Sequence, residues 1–410
     1  MVFRWLLFIV FILFLQWYSS NAVKTVTKNS WVYYLFMVFN TLVIVNFITQ
    51  IVFFRENGAM STYFSYSFGL CITVIVFQII TITFLFFEDI VRVPQWIYHV
   101  FTKGFSKSFD YSPQRREFIS KLALITASIP AGSLIFGMMR GKYNYRVIKH
   151  KLSYANLPDA FNNFKIVHIS DFHCGSFDNT EKVSHGIKMI NDQNPDIIFF
   201  TGDMVNNIAK ELEGWKDLIG SLHAPYGKFA VLGNHDYGDY VRWDSEKEKE
   251  DNMKMLLQHL EDMGFHLLLN ESHQLIKDNE KIDIVGVENW GAGGFKKKGD
   301  FDKAASGVEK EQFKILLSHD PSHWEQKIIN HEMPVELTLS GHTHGMQFGI
   351  EIPGWIKWSP AKFRYKYWAG VYEENNQYIN INRGFGFLAY PGRVGIYPEI
   401  SVIQLQSETT

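Results

Sequence analysis

The stretch Lys165-Ile-Val-His-Ile-Ser-Asp-Phe-His173 is the first instance of a pattern that indicates the fold of the larger part of this chain. Its first five residues are rich in β-branched side chains and read as a buried strand, which ends at the small residue Ser170. Asp171 and His173 follow at once, and both can bind a metal ion. Side chains two residues apart in extended backbone point the same way, so the spacing predicts that both face one site.

The same pattern recurs four more times along the chain. Each time an apolar run ends in a small residue, and Asp, Asn or His follows. The segments are 196–203 with Asp203; 229–236 with Asn234, His235 and Asp236; 313–319 with His319; and 335–344 with His342 and His344. Helical patterns lie between them, at 181–191 and 251–263. Because such sheets gather ligand-binding loops at the carboxyl ends of their strands, the sequence predicts one polar site there.

The residues after these strands form a set of metal-ligand types. The set is Asp171, His173, Asp203, Asn234, His319, His342 and His344. Carboxylate, imidazole and amide oxygen together suit Mn²⁺, Fe or Zn²⁺ better than Ca²⁺ or Mg²⁺, and the lack of thiolates argues against a structural zinc. Seven ligands are too many for one ion with an open position. The set therefore predicts two divalent metal ions (Mn, Fe or Zn) that share a carboxylate.

The order Asp-x-His, Gly-Asp, Gly-Asn-His-Asp, His and Gly-His-x-His resembles the calcineurin-like metallophosphoesterase superfamily over about residues 163–406. The resemblance implies an α/β (α+β) fold, a four-layer α-β-β-α sandwich of two mixed sheets. The segments 170–173, 233–236 and 341–347 are most similar to membrane-associated phosphodiesterases, as are 382–386 and 393–400. Some proteins of that subgroup act on lipids or nucleotide-lipid diphosphates.

The resemblance also implies roles for individual residues. One ion would be held by Asp171, His173, Asp203 and His344; Asp203 would bridge to a second ion, held also by Asn234, His319 and His342. His235 would contact the phosphoryl group, and Asp236 would orient its ring. Two positions depart from the pattern: Met346, where relatives usually have Gly, and Cys174 after the first motif. Neither departure removes a ligand.

The implied activity is that of a metal-dependent phosphoric ester hydrolase. It would cleave phosphodiester or pyrophosphate bonds, including those of a lipid-linked substrate, by attack of a metal-bridging hydroxide. A non-catalytic metal-binding interaction platform and a membrane sensor are the alternatives. A degenerate platform should lack a ligand or the His of Gly-Asn-His, and this sequence lacks none. Residues 161–410 carry 25 Lys and Arg against 36 Asp and Glu, so no nucleic-acid partner is expected.

The N-terminal part of the chain reads as a membrane region. Residues 1–87 contain only five charged residues, and 31–54 and 61–87 are each long enough to span a bilayer. Residues 1–18 are a third candidate span or a signal peptide, and 122–139, interrupted by Pro130, are a fourth. The sequence thus predicts a transmembrane region of three to four helices over 1–139, a linker over 140–160 and the phosphoesterase domain over 161–406.

Lys and Arg in short loops predict the orientation of an integral protein of the cell membrane. Six cations between 88 and 121 should be cytoplasmic, namely Arg92, Lys103, Lys107, Arg115, Arg116 and Lys121. The 55–60 loop, with one cation and one anion, suits the opposite side. If 122–139 spans, the catalytic domain is extracytoplasmic, although five cations between 140 and 151 favour the inside. Residues 112–121 resemble a twin-arginine export signal, with a basic helix flank as the alternative.

The segment from Trp355 to Trp368 is rich in aromatic residues and cations and contains no acid. Trp and Tyr together with Lys and Arg are typical of a membrane interface with anionic headgroups. One hypothesis is that this loop enters the membrane and admits a lipid-borne substrate. The alternative is an exposed hairpin with ordinary packing.

Overall fold

The computed structural model describes residues 2–53, 61–103, 112–352 and 354–408. They form two compact units, one of N-terminal helices and one of residues 139 onward. The 55–60 loop and Lys107, which entered the orientation argument, lie outside the described residues.

The first unit consists of four helices. They are α1 (Val2–Val26), α2 (Ser30–Phe53), α3 (Thr62–Lys103) and α4 (Pro113–Met139). Each is long and apolar enough to cross a membrane, so the two weaker candidate spans are helices of the same kind as the two stronger ones. Helix α3 continues beyond its apolar part, through Pro94.

Polar side chains inside the helical unit pair across helices. The Gln16 amide donates to the Thr41 hydroxyl at 2.8 Å, and the Gln78 amide donates to the Asn40 oxygen at 3.1 Å. Such hydrogen bonds stabilise helix contacts in a medium without water. Asn46 of α2 contacts Ser67 of α3, before Gln78, whereas Asn40 contacts Gln78, so these two helices run antiparallel. The three-residue connection over 27–29 makes α1 and α2 antiparallel as well.

The two arginines of the export-like motif lie in an ion-pair cluster. The Arg116 guanidinium is 2.5 Å from the Glu88 carboxylate and 3.0 Å from that of Asp89, and Arg115 is 3.2 Å from Glu88. The Tyr18 hydroxyl donates to Asp89 at 2.6 Å. These contacts join α1, α3 and α4 at one end of the unit. The arginines thus have a structural role, and the export signal stays a prediction.

The second unit contains fourteen strands among the described residues. They are β1 (Arg146–Tyr154), β2 (Lys165–Ile169), β3 (Ile197–Thr201), β4 (Lys228–Val231), β5 (Phe265–Leu267), β6 (Glu271–Lys277), β7 (Glu280–Gly286), β8 (Lys314–Leu317), β9 (Leu337–Ser340), β10 (Ile350–Ile352), β11 (Ile356–Trp358), β12 (Gly370–Glu374), β13 (Gln377–Ile381) and β14 (Glu399–Ser407). They form two six-stranded mixed sheets, ordered β1-β14-β2-β3-β4-β5 and β12-β13-β9-β8-β7-β6, and a two-stranded ribbon, β10-β11. The helices are α5 (Thr180–Asn191), α6 (Lys216–Gly220), α7 (Glu246–Asp262) and α8 (Phe301–Ala304), and the turn Pro321–His323 leads into a π-helical turn, Trp324–Ile328.

The two sheets pack face to face over one apolar core. That core includes Ile166, Ile197 and Phe199 of the first sheet and Ile284, Ile315 and Leu339 of the second. Helices α5 and α7 cover the outer face of the first sheet, and α8 and the π-helical turn cover that of the second. Truncating a fully buried Phe such as Phe199 to Ala typically costs about 3–5 kcal/mol. The predicted four-layer sandwich is confirmed.

The predicted linker over 140–160 is corrected by the structure. Strand β1 lies within it and pairs in parallel with β14 along its whole length, from Arg146 to Tyr154. Leu152 and Tyr154 are buried in the core between the sheets. Because β1 is an edge strand with one solvated face, it contains charged residues and lacks the continuous apolar run by which the other strands were predicted.

The five strands predicted to end in ligands are present. Strands β2, β3 and β4 are parallel neighbours in the first sheet, and β8 and β9 are parallel neighbours in the second. Their carboxyl ends bring the loops of both sheets to one edge of the sandwich, where the site lies.

Candidate metal centre

The predicted ligands converge in two groups. Asp171, His173 and His344 form one, and Asp203, His319 and His342 form the other, with the candidate ligand atoms of each within 4.8 Å of one another. In the first group the Nε2 atoms of His173 and His344 face each other at 3.1 Å. In the second, His319 Nε2 lies 3.2 Å from His342 Nδ1. Facing imidazole nitrogens beside carboxylates fit divalent cations placed between them.

One carboxylate oxygen lies near both groups. Asp203 Oδ2 is 3.1 Å from His319 Nε2 and 3.6 Å from His173 Nε2. Asp203 is 1% exposed, so water does not screen its charge from either group. This position suits a carboxylate that two cations share.

The backbone at the site is left-handed at most ligands. Asp171, His173, Asp203, His342 and His344 have φ of 52°, 48°, 60°, 69° and 48°. The expectation that Asp171 and His173 converge because they alternate on extended backbone is therefore wrong; tight turns aim them instead. Each such non-glycine residue costs of order 1–3 kcal/mol, which the surrounding contacts must offset.

Two glycines permit the close approach of the loops. A Cβ at Gly341 would lie 1.7 Å from Ser170 Oγ and 2.3 Å from Asp171 Oδ2. A Cβ at Gly202, whose φ is +90°, would lie 2.4 Å from the backbone nitrogen of Gly233. Neither glycine leaves room for a larger side chain, and Gly202 also adopts a backbone conformation that favours glycine.

Asn234 presents an oxygen without a partner. Its side chain donates to the Tyr240 hydroxyl at 2.8 Å, while Oδ1 is buried and has no hydrogen-bond partner among the described residues. A buried amide oxygen without a donor is costly, and a cation would satisfy it. Asn234 therefore fits a ligand role.

The carboxylates and imidazoles of the site also form ion pairs with one another. Burial would raise the pKa of Asp203, but His319 and His235 hold it well below its usual range. Burial would lower the pKa of His319, but the charge of Asp203 and the hydrogen bond to it raise that pKa to about 10. His319 is therefore protonated at neutral pH until a cation takes the place of its proton.

We expect metal affinity to rise with pH for this reason. Because the His319 pKa of about 10 lies above the working range, binding must displace its proton at every pH between about 6 and 8. Each displaced proton makes the apparent affinity rise about tenfold per pH unit. Calorimetric titration of the metal-free full-length protein with Mn²⁺, in buffers of different ionisation enthalpy, measures both the apparent metal affinity and the number of protons released on binding. An affinity independent of pH and no proton release would contradict this assignment.

His235 and Asp236 differ from the predicted arrangement. The Nδ1 of His235 lies 2.6 Å from the carbonyl oxygen of Asn206, so this carbonyl orients the ring. The Asp236 carboxylate instead accepts hydrogen bonds from four backbone amides, at Asp203, Met204, Val205 and Gly233. The role predicted for Asp236 is corrected accordingly: it orders the loop that carries Asp203.

The structure adds site residues that sequence reasoning missed. The Tyr365 hydroxyl is 2.9 Å from His342 Nε2, and the Asp320 carboxylate is 3.4 Å from the same atom. Fully buried Arg393 donates to His344 Nδ1 at 3.0 Å. Tyr365 and Arg393 lie in the segments 355–368 and 393–400 that the sequence marked for other reasons, and no local pattern connects them to histidines so distant along the chain. Asp320 directly follows His319 and could have been found by that adjacency.

Met346 and Cys174, the two positions that depart from the family pattern, lie in different surroundings. Met346 has a φ of 49°, a conformation that Gly adopts with less strain, and its side chain is 41% exposed. Cys174 is buried in the core of the first sheet and away from solvent.

The two-sheet sandwich, with carboxylate and imidazole ligands at its strand ends, is the architecture of a metallophosphoesterase. Residues 164–346 match the family model for calcineurin-like phosphoesterases, and residues 3–142 match that for a probable calcineurin-like phosphoesterase transmembrane domain. The chain belongs to the calcineurin-like phosphoesterases and is a membrane protein and a metal-dependent phosphoester hydrolase.

Three relatives illustrate the family. The uncharacterized metallophosphoesterase YkuE of Bacillus subtilis is 30% identical over 303 residues, which cover 72% of this chain and 98% of YkuE. Phosphodiesterase YaeI of Escherichia coli is 26% identical, over 64% of this chain and 88% of YaeI. The UDP-2,3-diacylglucosamine pyrophosphatase LpxG of Chlamydia trachomatis is 31% identical, over 48% of this chain and 69% of LpxG.

Proposed function

We propose that this protein is a membrane-anchored phosphodiesterase or pyrophosphatase with two divalent metal ions, acting on a lipid-linked substrate. The observation that carries the proposal is the pair of buried ligand groups with Asp203 Oδ2 near a histidine nitrogen of each. One ion would be held by Asp171, His173, Asp203 and His344, and the other by Asp203, Asn234, His319 and His342. When bound, two such ions lower the pKa of a water and neutralise phosphoryl oxygens.

The side chains around the ligands complete the site. His235 is half-buried beside the first group, with its ring centroid 5.0 Å from that of His173. The Asn206 carbonyl can only accept, so His235 carries a proton on Nδ1, and in the imidazolium form its Nε2 would also carry one and donate it to a phosphoryl or leaving-group oxygen. Tyr240, with its ring 4.5 Å from that of His235, flanks the same space. These residues would bind and orient the phosphoryl group and transfer a proton to the leaving group.

Two observations support a lipid-linked substrate. Four helices anchor the chain in a membrane, where lipid substrates are concentrated. The names of two relatives indicate a phosphodiesterase and a pyrophosphatase of a diacylated nucleotide sugar. The same pair of metal ions could catalyse hydrolysis of either a phosphodiester or a pyrophosphate bond.

We place the catalytic domain outside the cytoplasm. The contacts of Gln16 and Tyr18 put the carboxyl ends of α1 and α3 and the amino ends of α2 and α4 on one side. Lys24, Lys28 and Arg92 lie toward that side, as do Arg115, Arg116 and Lys121, and such an excess of cations favours the cytoplasm for it. Helix α4 ends on the other side. A lipid substrate exposed there is favoured over a cytoplasmic nucleotide-lipid.

This topology predicts which engineered cysteines an impermeant maleimide reaches in intact spheroplasts. Both native cysteines are buried and should not react with the maleimide. Labelling of Met255→Cys on α7, or of Lys121→Cys in α4, therefore shows whether that one position is accessible from outside the cell. Met255→Cys should be labelled before lysis, and Lys121→Cys only after it. The reverse pattern would place the domain in the cytoplasm.

The proposed activity is tested with purified full-length protein in lipid nanodiscs. We expect Mn²⁺-dependent cleavage of bis(p-nitrophenyl) phosphate, faster than that of p-nitrophenyl phosphate and abolished by EDTA. Two bound metal ions without turnover on either compound would indicate a substrate that must be presented in lipid. Absence of both metal and turnover would favour the interaction platform.

A further inference from the structure

The ribbon of β10 and β11 has its apolar face toward solvent. The strands pair Ile350 with Trp358 and Ile352 with Ile356, and Glu351 with Lys357 between them. Because side chains alternate across a strand, the four apolar residues share one face and the two charged ones the other. Ile350, Ile352 and Trp358 are 52%, 42% and 39% exposed.

The charged face makes the polar contacts that join the ribbon to the domain, although Lys357 as a whole remains exposed. Glu351 Oε1 lies 2.5 Å from a guanidinium nitrogen of Arg383, which is buried. The Lys357 ammonium donates to the carbonyl of Ala369 and lies 5.2 Å from the centroid of the Trp368 ring. An ordinary hairpin on a soluble protein buries its apolar face and solvates its polar one. The inverted arrangement indicates that the apolar face has an apolar partner.

Neighbouring side chains extend this surface and add charge. Trp355, at the turn of the ribbon, is 77% exposed, and Phe363 is 78% exposed. Lys362 and Arg364 flank Phe363 and are exposed, whereas Lys366 is neutralised by Glu374 at 2.7 Å. We call the surface formed by 350–352, 354–358 and 362–364 the aromatic ribbon. Exposed Trp and Phe beside cations match the chemistry of the interfacial layer of a bilayer with anionic headgroups.

We infer that the aromatic ribbon is inserted in the headgroup layer of an anionic lipid bilayer. The membrane helices hold the chain at a bilayer, and only residues 140–145 separate the end of α4 from strand β1. The apolar side chains supply affinity, and the cations supply preference for anionic lipid. Of the hypothesised segment 355–368, the part from Tyr367 to Trp368 is buried, so the insertion concerns the ribbon and Phe363.

The ribbon adjoins the metal centre. The Arg364 guanidinium lies 5.3 Å from the Phe295 ring centroid and 5.5 Å from that of Tyr365. Both rings contact His342, Phe295 by its ring at 4.9 Å and Tyr365 through its hydroxyl. An inserted ribbon would therefore bring headgroup phosphates close to the ligands. This consequence depends on the proposed function, whereas the insertion itself does not.

The test uses full-length protein in nanodiscs of phosphatidylcholine and phosphatidylglycerol. Trp355→Cys and, as a control, Ile276→Cys on β6, whose native side chain is 60% exposed, are labelled with the polarity-sensitive fluorophore NBD. We expect NBD at 355 to emit at shorter wavelength and to be quenched by doxyl-labelled lipid, while NBD at 276 does neither. Lys362→Glu should weaken the quenching at 355 in anionic nanodiscs only.

Three outcomes would overturn the inference. NBD at 355 could remain as solvent-exposed and unquenched as NBD at 276. It could shift in wavelength without quenching and lose the shift on dilution, which would make a second copy of the chain the partner. It could shift without quenching at any concentration, which would place another part of the protein over the ribbon. Repeating the measurement with Asp203→Asn separates insertion from catalysis, because insertion should be unchanged there.

Discussion

Replacing Asp203 with Asn should reduce turnover of bis(p-nitrophenyl) phosphate by about 10³-fold or more. The substitution keeps the size of the side chain and an oxygen that can accept from the His235 backbone amide, now 2.8 Å from Oδ1. It removes the negative charge near both ligand groups and places an amide in the position of Oδ2. Loss of several kcal/mol of charge stabilisation corresponds to a rate loss of this size.

The matched control for this variant is Asp217→Asn, which changes an exposed carboxylate on α6. Turnover and metal content should be unchanged in the control, while the Asp203 variant should bind fewer than two ions by elemental analysis. A Asp203→Asn protein with two ions and near-normal turnover would remove the shared carboxylate from the mechanism.

Replacing His235 with Ala should lower turnover by about 10²–10⁴-fold and leave metal content intact. The backbone amide that bonds Asp203 remains, so only the imidazole is lost. That ring is oriented by the Asn206 carbonyl and stands beside the first ligand group without being part of either group. A positioned proton donor or acceptor is typically worth a factor of this size.

His185→Ala on α5, which removes an exposed imidazole, provides the comparison and should behave as the native protein. The rate loss at His235 should be smaller for substrates with a good leaving group, since they need less protonation. If His235→Ala loses metal, the residue is a ligand or holds one in place, and its assigned role is wrong.

The sandwich could be predicted because its evidence is local. Strands β2, β3, β4, β8 and β9 are short apolar runs, and each ends in a small residue followed by a ligand type. Strand β1 escaped prediction because an edge strand with three lysine or arginine residues among nine has no continuous apolar run.

The site was predictable as a list of residues but not as a geometry. Asp171 and His344 are far apart in sequence, and their approach to 3.2 Å depends on the packing of the two sheets. The partners of His235 and Asp236 are backbone groups of the 203–206 loop, which no side-chain motif records. The resemblance implied that Asp236 orients the His235 ring, but the Asp236 carboxylate accepts from backbone amides instead.

The strand ends, the ligand types and the membrane helices could be predicted from the amino-acid sequence, since each follows from side-chain chemistry at a fixed short spacing. The grouping of the ligands, the position of Asp203 near both groups and the outward apolar face of strands β10 and β11 became evident only in the folded domain. These features depend on contacts between segments distant along the chain. Such contacts arise when the two sheets bury their shared core, and local pattern does not encode their distances.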